Sequence, residues 1–330
     1  MLKEKNKKNN LFLIDENILV LFINNKIIIK LLIFIIFIII TISNKLNKNK
    51  NKNIDVCVCT VGKLENRYIK EFLEHYKGYG VDKIFLYDNN DIDGEKFEDV
   101  IYNYIKEEFV TLIKNFRGKR QAALEIMNDC YKKNFRNYDW LIFFEIDEFI
   151  YLKNISNIKD FLKQSKFNKC QRIQLNWIFH TDNDLLFYDN RSLIERFPER
   201  EKKARGVKKG DWNGIKSILK GHIKNIKIKC IHTLNHHLKS CDGFGKYKKI
   251  DGIITRDADF EYYYIDHYYS KSTEEFINKI NRGDVLHKDN RIDRIKTYFA
   301  YNKITHQKLD LIEKKIGLNL SEIRKKLYQK

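Results

Sequence analysis

The sequence predicts an α/β fold: a mostly parallel sheet with helices on both faces, preceded by an N-terminal membrane anchor. Three observations predict it. From residue 55 onward, short apolar runs alternate with stretches that are apolar at helical spacing, the pattern of a parallel sheet with crossover helices. The run 140–149, W-L-I-F-F-E-I-D-E-F, begins as large apolar residues and ends in Glu145, Asp147 and Glu148. Its first half has the composition of a strand buried on both faces. Ahead of all this, residues 27–42 are apolar apart from Lys30 and one threonine.

Taken in order, residues 1–26 are a tail rich in Lys and Asn, and residues 27–43 are the expected anchor. A membrane helix needs about 20 apolar residues, and Lys30 near one end can snorkel to the interface. No small-residue cleavage site follows, which argues against a removed signal peptide. Lysines flank both ends, so charge does not set the orientation. Residues 44–54 read as a polar linker, 55–302 as the catalytic domain and 303–330 as C-terminal helices. The chain has 330 residues and a net charge of +19. A basic surface suits an anionic substrate or a membrane face. There is no Arg-rich patch with interleaved aromatics, so nucleic acid is not expected as a partner.

Within the domain the expected elements are a strand at 55–60, a helix at 66–78 and a strand at 83–87 that ends at Asp88. A helix at 97–107, a strand at 110–113 and a helix at 120–133 lead into the strand 140–149. Later come a strand at 262–269, a helix at 273–280, and terminal helices at 304–316 and 321–328 that pack on the domain or a membrane surface. In such sheets ligands bind beyond the carboxyl ends of the strands. Thr60, Asp88, Glu145 and Asp147 all fall at those ends. No G-x-G-x-x-G follows the first strand, which argues against a dinucleotide fold.

On a strand Glu145 and Asp147 point the same way. Two like charges in a poorly solvated site repel strongly, and a hard divalent ion, Mn²⁺ or Mg²⁺, resolves the conflict. The alternative is a strand end with solvated acids. Asp88 stands either as a ligand to a nucleotide or as a turn former before Asn89 and Asn90. Among the cysteines no pair has zinc-finger spacing. Cys57 and Cys59 share one face of a strand, and buried thiols are the expectation. In an oxidising lumen, Cys230 with Cys241 is the first pair to test.

Several segments, in chain order, resemble a GT-A fold glycosyltransferase of family 92 or the related family 2-like group. These are Lys63-Leu64-Glu65-Asn66, Tyr87-Asp88-Asn89-Asn90, Gln121-Ala122-Ala123 and residues 144–149. The second half adds Asn176-Trp177-Ile178-Phe179, Glu195-Arg196-Phe197, Lys216-Ser217-Ile218 and His236-His237. The last matches are His267-Tyr268 with Lys271-Ser272, Glu275-Phe276 and Arg282-Gly283. Glu145 departs from the family, which usually has Asp there.

The resemblance implies transfer of a sugar from a nucleotide-sugar donor, a UDP-sugar first, to a hydroxyl of a glycan or glycoconjugate. Asp147, helped by Glu145, would hold Mn²⁺ or Mg²⁺ on the donor diphosphate. His267 is implied as a further metal ligand and Lys271 as a partner of the diphosphate. Thr60, Glu65, Asp88 and Arg120 are the remaining candidate donor contacts. Inverting transfer needs a base at the acceptor hydroxyl. Glu195 is the first candidate and Asp211 the second. Trp177 and Trp212 are candidate sugar platforms, and the charged segment 196–214 is expected to form a loop over the donor. A glycoside hydrolase and a non-catalytic, membrane-anchored glycan-binding protein remain the alternatives.

Overall fold

Burial of nearly every side chain, Val56 and Val58 on one face and the cysteines on the other, makes Val56–Gly62 (β1) a central strand. Val56 and Val58 pack with Ile69, Phe72 and Leu73 of helix Ile69–Gly78 (α1), while Cys57 and Cys59 face the opposite way. Strand Lys83–Asp88 (β2), helix Glu98–Lys106 (α2) and strand Val110–Ile113 (β3) follow. Helix Ala123–Asn134 (α3) then brings Ala123, Ile126 and Cys130 against Cys57 and Cys59. The sheet is therefore a middle layer with apolar cores on both faces. In this computed structural model the described residues are 53–201, 214–234, 237–247, 258–283 and 291–328, with Lys30 and 33–40.

Strand Trp140–Phe143 (β4) completes the parallel half: β3, β2, β1 and β4 are neighbours in that order, all parallel. The other half is mixed. It contains Glu148–Leu152 (β5), Arg172–Phe179 (β6), Ile215–Lys220 (β7), Ser240–Cys241 (β8) and Tyr263–His267 (β9). The path runs β4-β7-β6-β9-β5, and β8 pairs with β6. β7 is antiparallel to both β4 and β6, β9 is parallel to β6, and β5 is antiparallel to β9. The sheet is thus mixed, which corrects the mostly parallel expectation. The stretch 140–149 is not one strand either. The chain leaves β4 after Phe143, turns with Glu148 N–H donating to the Glu145 carbonyl at 3.0 Å, and enters the far edge of the sheet as β5.

Short helices Ile158–Leu162 (α4) and Leu193–Arg196 (α5) connect these strands. Helix Thr273–Asn281 (α6) then begins with a capping box between Ser272 and Glu275. Its apolar face, Phe276, Ile277 and Ile280, is covered by helices Arg291–Tyr301 (α7), His306–Ile316 (α8) and Ser321–Lys325 (α9). Buried Lys308 of α8 reaches back to Asp182 and Asp184, 2.7 Å from an oxygen of each. The terminal helices accordingly pack on the domain, within the unit Ile54–Lys330.

In the N-terminal unit, residues 33–40 are helical with exposed apolar side chains. Among the described residues no helix is long and apolar enough to cross a membrane. Half of the anchor expected at 27–43 lies outside the described residues.

The expectation of buried thiols holds for Cys57 and fails for Cys59. Cys59 is bonded to Cys130, tying β1 to α3, and Cys170 to Cys241, tying the start of β6 to β8. Cys57 and Cys230 are free, so the pair Cys230–Cys241 is not formed. Each bridge spans a sequence separation of 71, a closure worth about 2–4 kcal/mol. Non-reducing peptide mapping should recover these two bridges with Cys57 and Cys230 as thiols. Recovery of a Cys230–Cys241 peptide, or of six thiols from protein folded under oxidising conditions, would contradict this arrangement.

Candidate active site

The turn after β4 is pressed against the end of β1. A Cβ added at Gly62 would fall 2.6 Å from the end of the Ile146 side chain and 2.5 Å from the Phe97 ring, so a larger residue would push on the turn. This fixes Glu145 and Asp147 at the carboxyl edge of the parallel strands. From the other side, the β5–β9 register pairs Glu148 with His267. His267 Nε2 consequently lies 3.5 Å from Asp147 Oδ1, and Nδ1 lies 3.8 Å from Glu148 Oε1. One ligand atom each of Glu145, Asp147 and His267 falls within 4.8 Å of the other two.

Lysines meet these acids. Lys216 of β7 is buried, with Nζ 2.8 Å from Glu145 Oε1 and 3.2 Å from Glu148 Oε1. Lys279 and Lys271 place Nζ 2.8 and 3.3 Å from the same oxygen, Asp147 Oδ2. Burial works to neutralise every one of these carboxyls. For Glu145 the charge of Lys216 outweighs it and holds the group down at about 2. For Asp147 the charges of Lys279 and Lys271 outweigh burial and hold it well below the usual carboxylate range. Glu148 is different: burial dominates over Lys216, the Glu145 and Asp147 charges add to it, and its carboxyl is pushed up to about 8. Burial also pushes the His267 imidazolium down, against the pull of Asp147. At neutral pH the site therefore presents two carboxylates and a neutral imidazole.

The donor set fits a divalent ion. His267 is 6 % exposed, and neither of its ring nitrogens has a hydrogen-bond partner. A buried polar group without a partner is costly, and two carboxylates with a neutral imidazole are a donor set that a divalent metal ion can occupy. Glu145 and Asp147, but not His267, line a cleft of about 690 Å³, counting the solvent-open space at its mouth. Ala123, Ile126, Met127 and Ile231 give it an apolar wall.

Thr60 and Glu65 line this cleft as the sequence predicts. Thr60 Oγ1 and Glu65 Oε2 are buried there without partners, while Glu65 Oε1 meets Arg282. Lys271 stands beside Asp147. Asp88 is fully buried, with Oδ1 accepting from Asn90 N–H at 2.9 Å and Oδ2 from Arg117 at 2.6 Å. Its turn-forming alternative is what the structure displays. Arg120 is exposed and does not line the cleft. Glu195 is exposed too, and its Oε2 accepts from the backbone and hydroxyl of Ser192 in the capping box of α5. Asp211 and Trp212 lie outside the described residues. Trp177 packs edge-on to His267 at 5.5 Å between centroids. Sequence reasoning missed Lys279 altogether and gave Lys216 and Arg282 no role. The signal lay in the helical spacing Glu275, Lys279, Arg282, which turns three charges toward the sheet.

An acid–histidine group beside an apolar cleft at the carboxyl ends of parallel strands is the place where an α/β enzyme binds its substrate. Residues 52–302 match the model of glycosyltransferase family 92, and the chain belongs to that family. Membership of a glycosyltransferase family favours glycosyl transfer over the hydrolase and non-catalytic alternatives. No curated protein sequence matches the chain. Among solved structures, similarity extends to a mannosyltransferase from Pyrobaculum calidifontis in complex with GDP-Man and Mn²⁺, at 10 % identity and TM-score 0.27 over 40 % of this chain and 41 % of that one. GalNAc-T7 with UDP, GalNAc and Mn²⁺ is similar at 11 % identity and TM-score 0.25, over 39 % and 23 % of the two chains. TarS of S. aureus is similar at 9 % identity and TM-score 0.33, over 76 % and 44 %. The chain thus spans less than half of each of these proteins, and at this level of likeness they carry no conclusion about the site.

Because the Glu195 carboxylate closes a helix cap, Glu195→Ala should cost about 1 kcal/mol of stability and leave the turnover of the folded enzyme close to native. A loss of turnover of 100-fold or more at unchanged thermal stability, on the order expected for a general base, would return Glu195 to the chemistry.

Proposed function

We propose that the protein is a divalent-metal-dependent glycosyltransferase that moves a sugar from a UDP-sugar to a hydroxyl of a glycan or glycoconjugate, with inversion. One observation carries this reading: Glu145, Asp147 and His267 converge on one point, with both His267 nitrogens buried and unpartnered. When bound, Mn²⁺ or Mg²⁺ would neutralise charge developing on the departing diphosphate. Asp147 and His267 would hold it, with Glu145 completing the set through its longer side chain.

The chain's own groups do the rest. Lys216 keeps Glu145 ionised and turned toward the site. The apolar wall at Ala123, Ile126 and Met127 suits the face of a nucleobase, and the unpartnered Thr60 Oγ1 and Glu65 Oε2 suit its polar edge or the ribose. Lys271, buried beside Asp147, would supply a charge-assisted hydrogen bond to the outer phosphate. With Glu195 committed to a cap, Asp211 is the remaining candidate for the base that takes the acceptor proton. The two disulfides suit an oxidising compartment, and residues 27–43 would tether the domain to its membrane.

Asp147→Asn changes little volume but removes a charge from the ion site. It should abolish transfer and lower Mn²⁺ affinity by more than the roughly 10–100-fold typical of losing a residue that only supports a ligand. Excess chelator should silence the native enzyme and added Mn²⁺ should restore it. Full activity in chelator would refute the metal dependence.

A further inference from the structure

Lys279 and Lys271 both place their ammonium groups on one oxygen, Asp147 Oδ2, at 2.8 and 3.3 Å. Two cations on one atom repel each other, and these are poorly solvated: the side chains are 13 % and 4 % exposed. Arg282, three residues beyond Lys279, adds a third cation on the same side, against Glu65. This side of the site holds three cations and two carboxylates, whereas Lys216 faces Glu145 and Glu148 alone. Of these cations Arg282 lines the cleft, and Lys271 and Lys279 meet it through Asp147, which lines it too; the surplus positive charge beside Asp147 calls for an anion.

The two lysines are not equivalent. Lys271 sits at φ 51°, a left-handed conformation that side-chain-bearing residues adopt at a cost, and its Nζ rests over the Tyr68 ring at 4.5 Å. Lys279 stands on a regular turn of α6. Among the described residues, its ammonium meets, beyond Asp147, the Tyr269 carbonyl at 3.4 Å and the Tyr269 ring at 4.3 Å. Its four-carbon stem has the rotatable bonds through which the ammonium can change partner.

We propose that Lys279 is a displaceable counter-ion. It neutralises Asp147 while that carboxylate has no divalent partner, and it turns to the donor's diphosphate once Asp147 takes the ion. The proposal rests on the metal-dependent reading above and gives α6 a part in donor binding. Its consequences have opposite signs. Loss of the Lys279 charge removes a competitor for Asp147, so a divalent ion binds more tightly. The same loss removes a diphosphate partner, so diphosphate binds more weakly. A residue that merely held the fold would weaken both.

The test is calorimetric titration of the full chain with Mn²⁺ alone, and with inorganic diphosphate at buffered free Mn²⁺. In the native protein, diphosphate should raise Mn²⁺ affinity by about tenfold, within the usual range of coupling between sites, and Mn²⁺ should raise diphosphate affinity equally. In Lys279→Met, Mn²⁺ alone should bind more tightly by at least about threefold, and diphosphate should bind about tenfold more weakly. Lys279→Arg keeps the charge and should keep the coupling. Independent binding in the native protein overturns the proposal even if the methionine variant fails to fold. So does unchanged or weaker Mn²⁺ binding by folded Lys279→Met. A native protein that binds no Mn²⁺ would instead overturn the metal-dependent reading, and the proposal with it.

Discussion

Glu145, Asp147 and Glu148 leave one tight turn, and a protein interior does not hold three such groups without compensation. The compensation is divided. Lys216 reaches in from β7, Lys271 and Lys279 come from the segment that opens α6 and from its body, and Glu148 keeps its proton. Each partner arrives on a different element, so the carboxylate turn sets where β7, β9 and α6 must sit. Removing any one lysine would leave a buried charge exposed to its neighbours, which is more costly than never having had the pair. The site is therefore a constraint on the fold as much as a product of it.

α6 is held from both sides. Toward the sheet, Glu275 is buried against Arg196 at 2.7 Å and accepts from the Tyr68 hydroxyl at 2.6 Å. Away from the sheet, Phe276, Ile277 and Ile280 are capped by α7, α8 and α9. The last of these helices lie beyond residue 302, where the family match ends. They pack on the apolar face of α6 and so help to set the positions of Lys279 and Arg282. On the opposite wall the Cys59–Cys130 bridge pins α3, which supplies the apolar side of the cleft, to β1, which supplies Thr60.

Much of the parallel half was legible in the sequence. β1 to β4 and the helices between them follow from apolar periodicity, because each strand is buried on both faces and each helix has one apolar stripe. Of the mixed half β9 was legible, as the strand expected at 262–269, but β6 and β7 were not, because they carry Arg172, Gln174, Asn176 and Lys216 at buried positions and do not look like core strands. Glu145 and Asp147 were paired correctly by strand alternation, although a turn is what pairs them. His267 was placed through the family resemblance alone; its ring lies well inside coordination reach of Asp147. Strand alternation also put Cys57 and Cys59 on one face, but a bridge across a separation of 71 residues is a fact of three dimensions that spacing does not carry. Lys279 was invisible for a simpler reason: a lysine on a helix is nearly always a solvated one.

The central claim is that one divalent ion is held jointly by the carboxylate turn and His267. Electron spin-echo spectroscopy of Mn²⁺ bound to the native protein tests it most directly. The spectrum should show nitrogen modulation from one imidazole, and that modulation should vanish in His267→Gln while Mn²⁺ still binds more weakly through Glu145 and Asp147. A spectrum of purely oxygen-ligated Mn²⁺ in the native protein, or nitrogen modulation that survives in His267→Gln, would contradict the account.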